Sequence, residues 1–360
     1  MGILRAVLLC AISVAVIPAC VEQGPNRSVS DPFFSVDGNH VFFDYCADRA
    51  CNLAMYSIAE KTVTILRPAD EKLQFSDAGF GPRVNEAVAI VSNRDAAVSR
   101  VTQVVVLKPL TSTFRRVTAD ASIKYKPNFS FDGQKLAYEQ SDRDRTWANG
   151  SPRATAWDIH TLDVTTGVVD RVTSFCFWGL GRAFLYPGSD DLVFGAAAPM
   201  CNYPTAGAPA DSKGYLIYKE RFAENEIVRL GPNRKALEPW FKNGGHSSFP
   251  SVARNGDVLF VSRTNEMDGI TKGFFNYDLF LWSDQKLRRL TRLKTALGAS
   301  ALSADGRFAV YVSDPERNHR ESLWLYDIEK DTHELIPLAE LEPGNEARVR
   351  IQVLAEEHAN

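Results

Sequence analysis

An Asp-Gly or Asn-Gly pair returns along this chain at Asp37-Gly38, Asp132-Gly133, Asn255-Gly256 and Asp305-Gly306. Each sits between alternating apolar runs, and Gly takes the positive φ that a tight hairpin turn requires. Weaker equivalents occur at Asn85-Glu86 and Ser189-Asp190. The flanks repeat as well. One unit reads YKPNFSFDGQKLAYEQ, a loop, then AWDIHTLDVTTGVVDRVT. Another reads GASALSADGRFAVYVS, a loop, then ESLWLYDIEKDTHELIPL. Third strands are expected at CNLAMYSI, VTQVVVLKP, AWDIHTLDV, GYLIYKER, YDLFLWSD and ESLWLYDI, and fourth strands at TVTIL, TFRRVT, VVDRVT, NEIVRL, KLRRLT and HELIPL. This makes about six units of roughly fifty residues, the spacing of four-stranded propeller blades.

A lone four-stranded sheet of this kind cannot bury both of its faces. Stacking such sheets around an axis buries them against one another and leaves only short edges. Alternation supplies the faces: Val41, Phe43 and Tyr45 fall on one side of their strand, Phe42 and Asp44 on the other. The expected fold is all-β, a six-bladed β-propeller of four-stranded antiparallel blades over residues 32–340. A β-sandwich also has short strands and frequent turns, but it does not repeat one four-strand order. Residues 341–360 form a tail in which RVRIQVL has the pattern of one extra strand.

KPNFSFDGQKLAYEQ, ALSADGRFAVYVS followed by LWLYDIE, and fourth strands ending in RVT or RLT resemble the propeller repeats of the TolB family. The resemblance runs over residues 32–338. It implies the fold and partners among envelope proteins. It implies little chemistry, because the repeat mainly encodes hairpins and core. TolB carries an α/β domain ahead of its propeller, and the stretch from Cys20 to Asp31 leaves no room for one. The prolyl-oligopeptidase relatives carry a hydrolase domain, for which the tail is too short. A free-standing propeller is expected.

At the N-terminus, Arg5 precedes the apolar run AVLLCAISVAVIPAC, which is too short to span a bilayer comfortably. A positive charge, a short apolar run and a small residue before a Cys read as an export signal. Ile17-Pro18-Ala19-Cys20 resembles a bacterial lipobox, although Leu is more usual at its first position. That resemblance implies a lipoprotein-type signal peptide over 1–19, lipidation at Cys20 and a short tether over 20–31. Val21 stands where Asp would favour inner-membrane retention, so a periplasmic protein on the outer membrane is expected. The alternative is a soluble secreted chain cut after Ala19. With Cys10 removed and Cys20 lipidated, Cys46, Cys51, Cys176 and Cys201 remain, an even set suited to an oxidising compartment. Cys46 and Cys51 flank ADRA across a hairpin end, and Cys176 and Cys201 belong to one face. Of the three connectivities open to four cysteines, Cys46–Cys51 with Cys176–Cys201 is expected.

No catalytic constellation stands out. GFGPRV and GLGRAF lack the third Gly and the following helix of a nucleotide fingerprint. GHSSFP puts Ser247 near a nucleophile-elbow pattern, with Phe249 where Gly is needed. No paired His at helical spacing suggests zinc, and His40, His160, His319 and His333 form no evident group with His246. Lys and Arg are scattered through a chain of net charge −3, which argues against nucleic acid. No catalytic residue, metal ligand or cofactor is assigned.

Connections between second and third strands, and between consecutive blades, emerge on one face of a propeller. They are long near SDRDRTWANGSPRAT, AAAPMCNYPTAGAPADSK and RTNEMDGITKGFFN. Long loops in a compact domain are often functional. These hold Arg143, Arg145, Trp147, Tyr203, Arg263, Phe274 and Phe275, which include the Arg and aromatic types enriched at interface centres. With His246 in GGHSSFP they form the expected partner-contact set. The leading expectation is a lipid-anchored periplasmic propeller that binds an envelope protein or peptide. The competing one is a carbohydrate-active propeller, an oligogalacturonate-lyase-like enzyme or glycan binder working in the central funnel.

Overall fold

The computed structural model describes residues 27–47, 50–94, 101–146, 152–199, 226–231, 240–241, 246–264, 268, 276–293, 295–314, 321–338 and 350–357. Among them the only helix is a 3₁₀ turn, Pro109–Thr111. The strands follow one another in antiparallel units. The first holds β1 (Arg27–Phe34), β2 (His40–Ala47), β3 (Ala50–Ser57) and β4 (Thr62–Pro68). The second holds β5 (Leu73–Phe80), β6 (Ala87–Asn93), β7 (Gln103–Lys108) and β8 (Thr113–Arg116). The third holds β9 (Ile123–Phe129), β10 (Lys135–Thr146), β11 (Pro152–Asp163) and β12 (Val169–Arg171). The fourth holds β13 (Phe177–Leu180), β14 (Phe184–Leu185), β15 (Leu192–Pro199) and β16 (Glu226–Leu230). Next come β17 (Ser247–Val252), β18 (Val258–Arg263), β19 (Tyr277–Ser283) and β20 (Lys286–Arg289). The series continues with β21 (Ala296–Leu302), β22 (Phe308–Asp314), β23 (Ser322–Asp327) and β24 (Thr332–Leu335). A last strand, β25 (Arg350–Glu356), follows.

The repeated turns form as their chemistry requires. Gly38, Gly133 and Gly306 each donate a backbone hydrogen bond to the carbonyl of the Ser three residues earlier, at 2.9 Å. The same Ser hydroxyls, on Ser35, Ser130 and Ser303, bond the turn carboxylates of Asp37, Asp132 and Asp305 at 2.5 Å. Gly133 is required twice over. Its φ is +72°, and a Cβ there would sit 2.5 Å from the Pro82 carbonyl oxygen of the neighbouring unit.

Faces are buried as the alternation predicts. Val41, Phe43 and Tyr45 enter one apolar cluster with Phe260, Val310 and Leu325, while Phe42 enters another with Leu53, Phe75 and Phe114. Inner strands β1 and β21 pack together, but the first and last units share no strand. Their seam is held by packing, with a hydrogen bond from Val29 N to Glu321 Oε2 at 3.1 Å.

The RVT and RLT endings have a specific physical role. Asp158 on β11 and Asp278 on β19 are 1% and 0% exposed. Asp158 accepts from Thr173 Oγ1 (2.7 Å), Phe175 N (2.9 Å) and Arg171 (2.6 Å). Asp278 accepts from Thr291 Oγ1 (2.9 Å), Leu293 N (2.8 Å) and Arg289 (2.6 Å). Each Thr oxygen in turn accepts a backbone N–H of the third strand, from Ile159 at 2.9 Å and Leu279 at 3.0 Å. The second unit uses Gln103 and Thr118 in the same way. A buried carboxylate costs too much unless it is fully bonded, and Arg-x-Thr is what satisfies it.

Three sequence expectations are corrected. β1 begins at Arg27, inside the stretch expected as tether, because Val29 is buried against the core and Ser28 and Ser30 pair with β2. The segment after Ser141 is not a loop: β10 and β11 stay paired from Ser141↔Trp157 to Thr146↔Pro152. NEIVRL is not an outer strand. β16 pairs directly with β15, from Leu192↔Leu230 to Ala196↔Glu226, and takes the third place. Ile227, Val228 and Leu230 are buried, whereas the outer strands β20 and β24 are largely exposed. Trp240 N then bonds Ile227 O at 2.7 Å on the outer side. The stretch GYLIYKER lies outside the described residues.

The tail does add a strand, at a place its pattern does not specify. β25 runs parallel to β4, Arg350↔Thr64 to Leu354↔Pro68, then passes to β8 at Ala355↔Thr113. It joins the outer edges of the first two units. Leu354 is fully buried between them, and Glu357 and Glu356 pair with Lys108 and Arg116 at 2.9 and 2.6 Å.

Asp278→Ala should destabilise the protein by about 3 kcal/mol, because it strips a buried pair of one partner. Asp284→Asn, at an exposed turn, should stay within about 0.5 kcal/mol. Urea unfolding followed by circular dichroism measures both, and equal midpoints would disprove the role given to the clamp.

Candidate functional site

The inner strands are bulged at equivalent places. β1 shifts register between Ser30 and Phe33, β5 between Ser76 and Gly79, β17 between Ser248 and Ser251, and β21 between Leu297 and Ser300. β9 does so around Lys126-Pro127. A bulge sets two residues against one and bends the strand. Asp31, Asp77, Lys126 and Phe249 take φ of 47°, 51°, 47° and 53° there. Non-glycine residues in this left-handed region store strain, and such residues cluster at functional sites.

These bulges converge. Asp31, Lys126, Phe249, Ala299 and Ser300, with Arg182 from the connection between β13 and β14, line one cavity of about 20 Å³. That is room for roughly one water molecule. Phe33, Phe80 and Phe184 pack beside it, with ring centroids 4.6 Å apart for Phe33–Phe80 and 5.9 Å for Phe33–Phe184. The units approach so closely here that a Cβ on Gly79 would run into the Pro127 carbonyl.

The lining contributes Asp31, Lys126 and Arg182, and further charged groups stand beside it. Asp31, Asp44 and Asp77 bring carboxylate oxygens within 4.8 Å of one another. Asp44 reaches in from β2 and accepts the Asp77 backbone N–H at 3.1 Å. Lys126 Nζ donates to Leu180 O at 2.8 Å and stands 3.4 Å from Glu139 Oε1. Arg182 donates to Pro127 O at 2.9 Å, and its guanidinium lies 4.6 Å from the Phe33 ring centre.

Burial dominates the titration of this cluster. It pushes the Asp44 carboxyl well above the usual range, helped by the charges of Asp77 and Asp31. Burial and Asp31 raise Asp77 to about 6. Burial raises Glu139 to about 7 against the opposing pull of Lys126. Lys126 stays above its ordinary value despite burial, because Glu139, Asp31 and Asp77 surround it. Burial lowers Arg182. Such a cluster can exchange protons near neutral pH, and its aspartates are hard oxygen donors able to hold a cation. The Ser76 hydroxyl donates to Asp77 Oδ2 at 3.2 Å.

Of the residues expected to contact a partner, Arg143, Arg145, His246 and Arg263 lie elsewhere. The backbones of Arg143 and Arg145 sit on the extended β10–β11 hairpin, opposite Thr155 and Arg153. His246 and Arg263 are brought together at one end of the β17–β18–β19 sheet. Arg263 N donates to His246 O at 2.9 Å, and the His246 ring meets Tyr277 edge-on at 5.9 Å. Trp147, Tyr203, Phe274 and Phe275 lie outside the described residues, as do Cys20 and Cys201. Cys46 and Cys51 form the expected disulfide, directly opposite each other at the β2–β3 hairpin end. Cys176 is also disulfide-bonded.

The sequence reading missed the axial cluster. A signal was present: Asp31, Lys126, Phe249 and Ala299 each stand seven residues before a turn glycine, Gly38, Gly133, Gly256 and Gly306. Three of them precede Pro32, Pro127 and Pro250. The register marks axial positions, but nothing local tells that their charges meet.

No family model matches the sequence, and no curated protein does. In structure the chain is similar to the β-propeller domain of the Trilobed protease from Pyrococcus furiosus, at 10% identity and TM-score 0.51, covering 86% of this chain and 97% of that one. It is similar to TolB from Acinetobacter baumannii at 14% identity and TM-score 0.54, covering 86% of this chain and 62% of that one, so it spans less than two thirds of that protein. It is also similar to an oligogalacturonate lyase in complex with manganese, at 14% identity and TM-score 0.50, covering 86% and 78%. With the curled, consecutive antiparallel sheets, these likenesses define a β-propeller. The propeller is TolB-like.

A carboxyl whose pKa is raised on folding stabilises the folded state while it holds its proton. Glu139, at about 7 when folded, therefore contributes fully below the unfolded value near 4.3, and the contribution is lost as pH rises through 7, on the order of 3 kcal/mol in all. Glu139→Gln should flatten the fall in unfolding free energy between pH 5 and pH 8 (both roughly placed by those values). Parallel stability–pH curves for the two proteins would refute the assignment.

Proposed function

We propose that this chain is a lipid-anchored periplasmic protein of the outer membrane, whose propeller presents its loop-bearing end to a protein or peptide partner. The observation that carries the reading is the β10–β11 hairpin. Its strands are 12 residues long, against 6 to 8 for the second strands β2, β6, β18 and β22, so it extends the end where second and third strands join. The same end carries the Cys46–Cys51 disulfide and the His246–Arg263–Tyr277 group. A cross-linked hairpin end and a paired arm lose less conformational freedom on binding than free loops do. β1 also begins at this end, opposite Ala47. Lipid on Cys20 would hold the binding end within roughly 25 Å of the bilayer, the reach of the short tether. The partner is then one displayed at the membrane surface. At the axis, room for roughly one water leaves no space for a sugar ring, which weighs against glycan chemistry at that depth.

Two experiments test this. Arg145→Ala, Trp147→Ala and Phe274→Ala, made singly, should each weaken partner capture in envelope cross-linking by about 2 kcal/mol or more, with melting temperatures nearly unchanged. Changes at Lys135 and Arg307, at the turn end, should leave capture intact; the Lys135 side chain pairs with exposed Asp190. Capture that depends on Lys135 and Arg307 instead would reverse the assignment of the face. Separately, Cys20→Ser should stall processing or move the protein to a soluble fraction. An unmodified thiol on Cys20 in mass spectrometry of the wild-type protein would exclude the anchor.

A further inference from the structure

We propose that β25 is an exchangeable strand: the slot between β4 and β8 accepts the same strand from a second copy of this chain, giving a strand-exchanged dimer. This goes beyond the partner-binding reading and is independent of it, since it involves the flank of the first two units and none of the loop residues.

The slot and its occupant are separable. The first two units each have four strands without β25, which links their outer edges into one nine-stranded sheet. β4 is buried along most of its length, whereas β12, β20 and β24 are largely exposed. β25 pairs with β4 over five residues and with β8 over two. Leu354 is its one buried side chain, and it joins the apolar cluster of Leu53, Leu66, Phe75 and Phe114. The remaining contacts are at the surface. The Lys108–Glu357, Arg116–Glu356 and Arg350–Glu60 side chains are between 32% and 68% exposed, and exposed pairs of this kind contribute little. A strand held by one apolar anchor and edge backbone bonds opens locally without unfolding the units behind it.

The slot is nonetheless selective. Ala69 N donates to Leu354 O at 2.8 Å, Ala355 N to Ser112 O at 2.9 Å and Glu357 N to Phe114 O at 2.8 Å, which fixes a parallel register. The Gln352 amide donates to Pro109 O and to Ser112 Oγ, the latter at 3.0 Å. The slot is acidic where the strand enters, at Glu60, and basic where it leaves, at Lys108 and Arg116. β25 carries the complementary order, Arg350 first and Glu356 and Glu357 last. An open β4 edge would offer its N–H and C=O groups to any strand. The charge order and the place of Leu354 select this one.

A second copy carries the identical strand, so exchange between copies loses none of these contacts. The covalent link to β25 only sets how concentrated the strand is at its own slot. Residues 339–349 join Leu338 to β25 and span at most roughly 36 Å, enough to pass the strand to a copy lying alongside. A separate feature favours that neighbour. Ile351 and Val353, which share one face of β25, are 57% and 55% exposed, and Leu110 is 72% exposed. Ile351 and Leu110 line one groove of about 560 Å³ with Met55 and Pro109. Copies that exchange β25 meet along this flank and cover aliphatic surface that a single chain leaves in water.

The test uses two variants of the full-length protein in detergent, one of them affinity-tagged. The first carries Glu356→Lys and Glu357→Lys, the second Lys108→Glu and Arg116→Glu. Each is mismatched with itself, and only the strand of one in the slot of the other restores both ion pairs. They are mixed at about millimolar chain concentration, the scale of a short tether's effective concentration. A mixed dimer should form, seen by light scattering and by recovery of the untagged variant on the tagged one. It should exceed either homodimer about tenfold, because two like-charge contacts per slot become two ion pairs. If a variant fails to fold by circular dichroism, a fluorescent peptide of residues 349–360 decides. It should bind Leu354→Ala protein about tenfold or more tightly than wild type, whose slot is filled by its own strand with a full anchor. The same peptide carrying Leu354→Ala should not bind. A mixture that yields no mixed dimer, or one no commoner than the homodimers, would overturn the proposal. So would failure of the peptide to bind the Leu354→Ala protein.

Discussion

Each four-stranded sheet in this chain has two apolar faces and can hide them only against its neighbours. That requirement arranges everything else. Val41, Phe43 and Tyr45 turn to one neighbour while Phe42 turns to the other. Because the sheets must stack side by side, their inner strands crowd toward a common line. Regular strands would collide there, and the inner strands bend instead through bulges at Asp31, Asp77, Lys126 and Phe249. The strain of a left-handed residue in each is the consequence of closing sheets around an axis.

The outer edges answer a different problem. The fourth strands β12, β20 and β24 are largely exposed, and several fourth strands are held by polar clamps. Asp158 and Asp278 are buried in third strands and grip Arg-x-Thr in fourth strands, with Gln103 and Thr118 a neutral version. Between the first two units the edge is closed by β25, whose Leu354 fills the gap between their cores. The chain thus seals one edge junction with its own distant strand, while the seam between first and last units is left to packing.

The polar and extended features divide along the same geometry. The axis is narrow, charged and largely buried. The end where second and third strands join is where chain length was spent, in the extended β10–β11 hairpin and the long connections of the neighbouring units.

How much was legible from residues alone follows from the range of each interaction. Turn pairs such as Asp132-Gly133, alternation in strands such as β2, the RVT and RLT endings and the Cys46–Cys51 hairpin are local. Their causes, positive φ, pleat and short-range bonding, act within a few residues, so the sequence alone determined an all-β repeat protein and one of its disulfides. The place of NEIVRL, the parallel insertion of β25 and the meeting of Asp31, Asp44 and Asp77 were decided only by tertiary structure. NEIVRL carries an outer-strand position in the repeat but enough buried apolar side chains to take an inner one. β25 reads as a strand anywhere, and only the slot between β4 and β8 selects where it pairs. The axial aspartates belong to separate strands, and each alone looks like an ordinary acidic residue near a turn; it is the closure of sheets around an axis that removes their water and sets them face to face.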